Sequence, residues 1–208
     1  LFKNIIYIFA SMMLFFTGVI LYGTLLNLRE KTLAKEMKLK NIETLRDIKV
    51  VINKSQYTLE LYSGDILVKN YKAVFGKTRR RIRHSALDKV TPTGRYYVCS
   101  KDSVTEFHRM IVLNYPNLHD LAIQLKDGYL TREEFLEFRE ELNTNNCIGK
   151  RNIKFGTIGI HGIGYFDIVF SNLPFRFNWT NGSVAVNNDD IEELYSVMEH
   201  GTEVIIHP

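Results

Sequence analysis

Two short stretches in the last third of the 208-residue chain carry residue types suited to acyl-transfer chemistry. The first, Gly156-Thr157-Ile158-Gly159-Ile160-His161-Gly162, is a hydrophobic, β-like run that ends in a histidine. The second, Asn178-Trp179-Thr180-Asn181-Gly182-Ser183-Val184-Ala185-Val186, sets a small hydroxyl residue between Gly182 and an apolar run, with Ser183 lying 22 positions after His161. An imidazole accepts a proton near neutral pH, and a hydroxyl must lose one to attack a carbonyl, so the two types form a base and nucleophile when a fold brings them together. A histidine at a strand end is, taken alone, more often structural. The flanking glycines and the second motif are what single out His161.

The elements that must position this pair are readable from periodicity. Strand patterns rich in β-branched and aromatic residues cover 50–52, 57–62 and 66–68, the last continuing toward Gly76, and Ser63-Gly64-Asp65 supplies a hairpin turn. Thr91-Pro92-Thr93-Gly94 is a turn feeding a strand at 95–99, and 107–113 is another strand. Residues 118–146 change to helical periodicity, and Thr131-Arg132-Glu133-Glu134 is a capping box that starts a helix near 132. This insertion, 118–150, precedes the candidate site and could form part of a lid facing the substrate. Strand returns at 155–160, and a long loop then leads to Trp179. Asn187-Asn188-Asp189-Asp190 caps a helix at 191–199, Gly201 ends it, and 204–206 is a final strand. The expected fold is mainly β with few helices, in one domain over 49–208.

Composition supports a folded chain, with 45% hydrophobic and 24% charged residues. The net charge of +4 comes partly from Lys77, Arg79, Arg80, Arg81 and Arg83. This cluster reads as a solvated loop, with attraction to an anionic polymer as the alternative; no nucleic-acid motif accompanies it, so no nucleic-acid partner is expected. Cys99 and Cys147 are too few for a disulfide framework and lack metal-ligand spacing; a single bridge between them is possible but cannot be argued from sequence. No CxxC or HExxH occurs, so no metal or cofactor is expected. Around Asp127-Gly128-Tyr129, a calcium-loop alignment would put Ile123 and Leu125 at ligand positions, which excludes calcium.

Residues 5–26 are 22 positions without a formal charge, enough to cross a bilayer as a helix, which needs about 20. A cleaved signal peptide is usually shorter and ends in small residues, unlike Leu21-Tyr22-Gly23-Thr24-Leu25-Leu26, so 1–26 reads as an uncleaved signal anchor. Residues 27–48, charged and free of Gly and Pro, read as a helical stalk with Glu30, Lys31, Lys35 and Glu36 on its surface. Orientation is contested within the sequence: Arg29, Lys31, Lys35, Lys38 and Lys40 follow the span, and a count of positive charge alone leaves the domain inside.

Several separated stretches agree, in collinear order, with one family. They are Thr91-Pro92-Thr93-Gly94-Arg95-Tyr96, Tyr115-Pro116-Asn117, Ile158-Gly159-Ile160-His161-Gly162, Asn178-Trp179-Thr180-Asn181-Gly182 with its apolar continuation, and Asp190-Ile191-Glu192-Glu193-Leu194-Tyr195 followed by Gly201-Thr202-Glu203-Val204-Ile205-Ile206. From about Lys49 to Pro208 the chain resembles the catalytic domain of the L,D-transpeptidases (YkuD-like), in the branch whose nucleophile loop reads W-T-x-G-C-hydrophobic-A. The resemblance implies a curled β-sheet or sandwich-like domain, outside the cytoplasm and held to the bacterial inner membrane by residues 1–26. It implies peptidoglycan stem peptides as substrate and no cofactor. In the family a thiolate attacks an L-centre-to-D-centre amide, and an amine of a second stem or of a lipoprotein resolves the thioester. Carried over by position, His161 is the base, oriented by a group near Gly162, and the backbone N–H groups of Gly182 and Ser183 hold the oxyanion. Trp179, Thr180 and Asn181 shape the site, and Tyr115 is a substrate contact.

Three positions depart from the family pattern. Asn181 stands where many relatives have a second histidine, and Ala185 where many have arginine. Ser183 stands at the position of the cysteine. A thiol is partly ionised near neutral pH and strongly nucleophilic, whereas a serine needs a well-placed base and usually a full triad. Ser183 is therefore open to three readings: a deliberate replacement of cysteine, a natural serine in a peptidoglycan-binding pseudoenzyme, or a working nucleophile paired with His161. A hydrolase of the same fold, with water as acceptor, is also open. Cys147, 14 residues before His161, reads as an ordinary thiol of the insertion rather than a relocated nucleophile.

Overall fold

A computed structural model describes residues 2–27, 31–78, 82–145, 147–148, 154–173 and 176–208. Arg29 and Glu30 of the charged stretch, Arg79, Arg80 and Arg81 of the basic cluster, and positions 146 and 149–150 of the insertion lie outside the described residues. The chain opens with α1 (Phe2–Asn27) and α2 (Leu33–Leu39). Three strands follow, β1 (Ile48–Asn53), β2 (Thr58–Ser63) and β3 (Ile66–Lys72), and then β4 (Gly94–Thr105) and β5 (His108–Leu113). Next come α3 (Leu118–Lys126), α4 (Arg132–Asn145), β6 (Gly159–His161), α5 (Asp167–Phe170), β7 (Val184–Ala185), α6 (Asn188–Val197) and β8 (Glu203–His207).

The eight strands form one mixed sheet in the order β3-β2-β1-β8-β4-β5-β6-β7. Strands β1 and β8 run parallel, as do β6 and β7, and the remaining neighbours are antiparallel. The long strand β4 belongs to both halves: Gly94–Tyr97 pair with β8, and Val98–Thr105 pair with β5. A register shift between Val98 and Ser100 bends it where it changes partner. The sheet curls until its ends meet, because Val74, just past β3, exchanges both backbone hydrogen bonds with Ala185 of β7 (2.9 and 2.8 Å).

Alternation along the strands explains the core. Val50 and Ile52, Leu59 and Leu61, Tyr96 and Val98, and Val204 and Ile206 all face inward and are buried, with Phe75, Ile111, Ile158, Ile160 and Val184 joining them. Each such side chain contributes about 1.5–3 kcal/mol of burial. Helix α6 covers this core with Ile191 and Leu194, and Asn187 caps it by accepting the N–H of Asp190 at 2.7 Å.

Helix α4 begins with the capping box seen in the sequence: Glu134 N–H donates to Thr131 Oγ1 (3.2 Å), and Thr131 N–H donates to Glu134 Oε2 (2.8 Å). The insertion packs on the core through Leu121, Leu130 and a Phe138–Phe155 ring contact at 5.9 Å. A disulfide joins Cys147 to Cys99 on β4, with Cα atoms 5.9 Å apart. The two thiols are thus paired, and Cys147 is no free nucleophile.

Two expectations are corrected. The stretch 27–48 is no continuous helical stalk: among its described residues 31–48, helix is confined to Leu33–Leu39, and Asn41 and Asp47 take positive φ (54° and 48°), where a right-handed helix cannot continue. Its apolar side chains have a face to bury, so Leu33 is sequestered and Met37, Ile42 and Leu45 pack against the core. The expected strand at 155–160 shrinks to Gly159–His161, because the preceding buried residues, Phe155 and Ile158, serve the core without strand pairing.

The disulfide closes a loop of 48 residues, which in the chain-entropy treatment is worth about 4 kcal/mol. Reduction, or a Cys99→Ala/Cys147→Ala double replacement, is expected to lower the unfolding free energy by about 2–4 kcal/mol. Urea unfolding of the oxidised and reduced protein reads this directly; coincident transitions would refute it.

Candidate active site

The parallel pairing of β6 with β7 creates the site. Ile160 lies opposite Val184 and His161 opposite Ala185, so Ile160 and Val184 share the core face. By the same alternation His161, Ala185, Gly159 and Ser183 share the other face. The N–H of Gly159 donates to Ser183 Oγ at 3.2 Å, which extends the register back by one pair. The histidine and the serine therefore sit diagonally across two neighbouring strands, with only a glycine and an alanine between them.

His161 is buried, and its Nδ1 lies 2.6 Å from the Gly162 carbonyl oxygen. A carbonyl can only accept, so Nδ1 carries the proton and Nε2 presents its lone pair. The ring is enclosed by Phe107 (centroids 4.7 Å) and the edge of Trp179 (5.9 Å). Burial holds its pKa below 6.5, although the Gly162 carbonyl favours the charged form. The neutral imidazole is thus the resting state at neutral pH.

Gly162 has no room for a side chain: a Cβ there would lie 2.7 Å from Asn188 Oδ1 and 2.8 Å from the Phe107 carbonyl. Asn188, at the start of α6, binds the next turn by accepting the N–H groups of Ile163 (3.0 Å) and Gly164 (2.9 Å) and donating to the Gly164 carbonyl (2.9 Å). It therefore fixes the peptide whose oxygen orients His161. In the sequence Asn188 was visible only as part of a polar cap.

The loop before Ser183 is a closed hydrogen-bonded turn. Thr180 Oγ1 donates to the Ser183 carbonyl (2.6 Å) and accepts the Gly182 N–H (3.2 Å), while Thr180 N–H donates to the Phe75 carbonyl (3.1 Å). Gly182 sits at φ +116°, a conformation that side chains rarely adopt. Its N–H is already engaged by Thr180, whereas the N–H of Ser183 has no hydrogen-bond partner among the described residues. Thr180 is buried and fully used within the turn, whereas the side chain of Asn181 is exposed.

Arg83 holds this turn from beneath. Its guanidinium is buried and donates from Nη1 to the Asn181 (2.6 Å) and Val90 (3.2 Å) carbonyls, from Nη2 to Ala86 (3.2 Å), and from Nε to Phe155 (2.9 Å). The expectation that Arg83 belongs to a solvated loop is therefore corrected; of the cluster's described members, Lys77 is exposed. Nothing in the sequence separates Arg83 from its basic neighbours. Tyr115 is corrected as well, since it is buried and its hydroxyl donates to the Arg83 carbonyl at 3.0 Å. It supports the arginine segment and has no face open to a ligand.

A cavity of about 260 Å³ is lined by Trp179, Phe170, Phe177, Ile163, Val74 and Ala185 among others, with neither His161 nor Ser183 in its wall. None of the described residues of α3 or α4 lines it. A larger space of about 630 Å³ lies between α1 and residues 171–173, away from His161 and Ser183.

Comparison with known proteins adds a family. The model of the YkuD family, the L,D-transpeptidase catalytic domain, matches residues 47–206. No curated protein matches the chain. Among solved structures, Bd1075 of Bdellovibrio bacteriovorus aligns over 79% of this chain and 50% of its own at 20% identity and a TM-score of 0.48. The helical cell shape determining protein Pgp2 of Campylobacter jejuni aligns over 77% and 46% at 18% identity and 0.48. An L,D-transpeptidase from Mycobacterium tuberculosis aligns over 78% and 58% at 13% identity and 0.46. The chain thus spans about half the length of these relatives.

Two outcomes test this geometry. Arg83→Met removes the buried donors that four carbonyls share and is expected to cost about 3 kcal/mol or more, with Arg83→Lys intermediate because an ammonium cannot span the same fork; equilibrium unfolding measures both. For His161, the unfolded chain takes up the proton near pH 6.5 and the folded chain only at lower pH. Its contribution to stability is complete above pH 6.5 and is lost as pH falls toward the folded pKa. A His161→Gln protein should show a flatter decline of unfolding free energy below pH 6.5; an unchanged slope would refute the assignment.

Proposed function

Because the chain belongs to the L,D-transpeptidase catalytic-domain family, we propose that it acts on peptidoglycan stem peptides, with residue 183 in the nucleophile's place and His161 as the general base. The observation that carries this reading is the 2.6 Å contact of His161 Nδ1 with the Gly162 carbonyl, which leaves Nε2 as the acceptor on the face shared with residue 183. The nucleophile gives its proton to Nε2 and attacks the carbonyl of an L-to-D amide. The oxyanion takes up the Ser183 N–H, the tetrahedral centre collapses to an acyl-enzyme, and the departing D-amino acid carries the proton away on its amine. An amine of a second stem then repeats these steps in reverse.

The serine sets the limit on this chemistry. His161 is oriented by a neutral carbonyl, and no described carboxylate contacts it to stabilise an imidazolium, which a serine attack requires and a thiolate does not. One lone pair of the Ser183 hydroxyl is also taken by the Gly159 N–H, which lowers its nucleophilicity. Serine in place of the family's cysteine therefore leaves the present form inactive or impaired. That contact favours a second reading as well, a module that keeps the cleft and binds stem peptides without turnover.

The Cys99–Cys147 bridge supports an oxidising compartment, outside the cytoplasm. The helix over Lys3–Leu25, with mean hydropathy 2.2, is long and apolar enough to cross a membrane, and we assign it as the anchor.

The Ser183→Cys protein, incubated with a disaccharide-tetrapeptide, is expected to show an acyl adduct by mass spectrometry and a cross-linked or trimmed product. Adding His161→Ala to it should slow turnover by about 10²–10⁴-fold. A correctly folded Ser183→Cys protein that forms neither adduct nor product would refute the enzyme; binding to sacculi that survives His161→Ala would then leave the binding module.

A further inference from the structure

The segment between the two halves of the site exposes more apolar surface than a soluble domain's loop ordinarily does. Around the 3₁₀ turn Gly164–Phe166 and α5, Tyr165 is 91% exposed, Ile168 67% and Phe166 59%, and Phe177 across the loop is 40% exposed. These residues form one patch, because successive rings touch: Tyr165 and Phe166 at 5.3 Å, Phe166 and Phe170 at 6.3 Å, Phe170 and Phe177 at 5.5 Å. A patch of this kind marks an interaction surface.

Its neighbour indicates what covers it. The last turn of the apolar span in α1 docks on the same segment. Gly23 approaches Asn172 so closely that a Cβ there would collide with the Asn172 carbonyl oxygen. Thr24 lines a cavity together with Asp167 and Ile168. The apolar span runs over Lys3–Leu25, so Gly23 and Thr24 lie at its end, level with the interface of any bilayer that α1 crosses. Asp167 and Ile168 are held at that level. Tyrosine and phenylalanine side chains are the types that settle at the headgroup boundary.

We propose that residues 164–177 form a foot seated in the outer surface of the bilayer that holds α1, so that the domain stands on the membrane at two points and its cleft faces the lipid. This rests on the assignment of α1 as a membrane span. The foot connects to the chemistry through rings alone, since Phe170 stacks on Trp179 (6.0 Å), whose edge meets His161 (5.9 Å). Stem peptides close to the membrane surface are then the substrates within reach.

The test uses the full chain reconstituted in phosphatidylcholine vesicles with acyl chains brominated near the headgroup. Trp179→Phe removes the native tryptophan, and single reporters are introduced as Tyr165→Trp in the foot, Tyr7→Trp in the span and Tyr129→Trp on the insertion. Tyr7→Trp and Tyr165→Trp are expected to lose most of their emission, and Tyr129→Trp to keep it. Quenching of Tyr7→Trp without Tyr165→Trp overturns the foot and leaves the span intact. Quenching of neither overturns both. Quenching of all three overturns the defined stance, and a Tyr165→Trp emission that answers only to soluble stem peptide assigns the patch to substrate and overturns the proposal.

Discussion

A buried guanidinium underlies the loop that presents Ser183, and the arrangement of the site depends on it. Arg83 gathers carbonyls from Asn181, Val90, Ala86 and Phe155, four positions spread over separate segments of the chain. Among the described residues it has no carboxylate within ion-pair distance, so the positive charge is dispersed over carbonyl dipoles. Burying a charge this way is costly unless every N–H is matched, and the fork geometry of arginine is what matches several at once. Gly182 is part of the same constraint, because a Cβ there would strike the Arg83 guanidinium. The turn, the glycine and the arginine are therefore one unit.

The sheet supplies the second constraint. A curl closed by Val74 and Ala185 brings the segment after β3 beside β7 at the opposite edge of the sheet, and β7 is held between that bridge and β6. With only two residues, Val184 and Ala185, β7 cannot secure its own register, and the bonds from Val74 on one side and β6 on the other secure it. Slippage by one residue would turn Ser183 toward the core and Val184 toward His161. The long-range closure of the sheet thus acts directly on the chemistry.

Much of this was legible in the residues. Alternation at Val50/Ile52 and Leu59/Leu61, the Ser63-Gly64-Asp65 turn and the caps at Thr131 and Asn187 are local signals, and the structure follows them. His161 and Ser183 stood out because each lies beside glycine at the edge of an apolar run. The rest depends on contacts between distant positions. Arg83 looks like any member of a basic run until Asn181, 98 residues away, is brought to it. Tyr115 reads as a ligand contact because its motif does, yet its hydroxyl is spent on Arg83. The charged stretch after α1 shows helical propensity throughout, but its few apolar side chains find the domain and break the helix to reach it.

The place of β8 in the sheet governs when the molecule can become itself. It is made after the other seven strands, yet it lies in the middle, parallel to β1 and antiparallel to β4. Until Glu203–His207 arrive, the hairpins on either side have no common central seam, and the half that carries His161 meets the half that carries Val74 only along the closing edge of the sheet, where Val74 bonds Ala185 and Phe75 bonds Thr180. Assembly of the pocket waits on the delivery of one central strand.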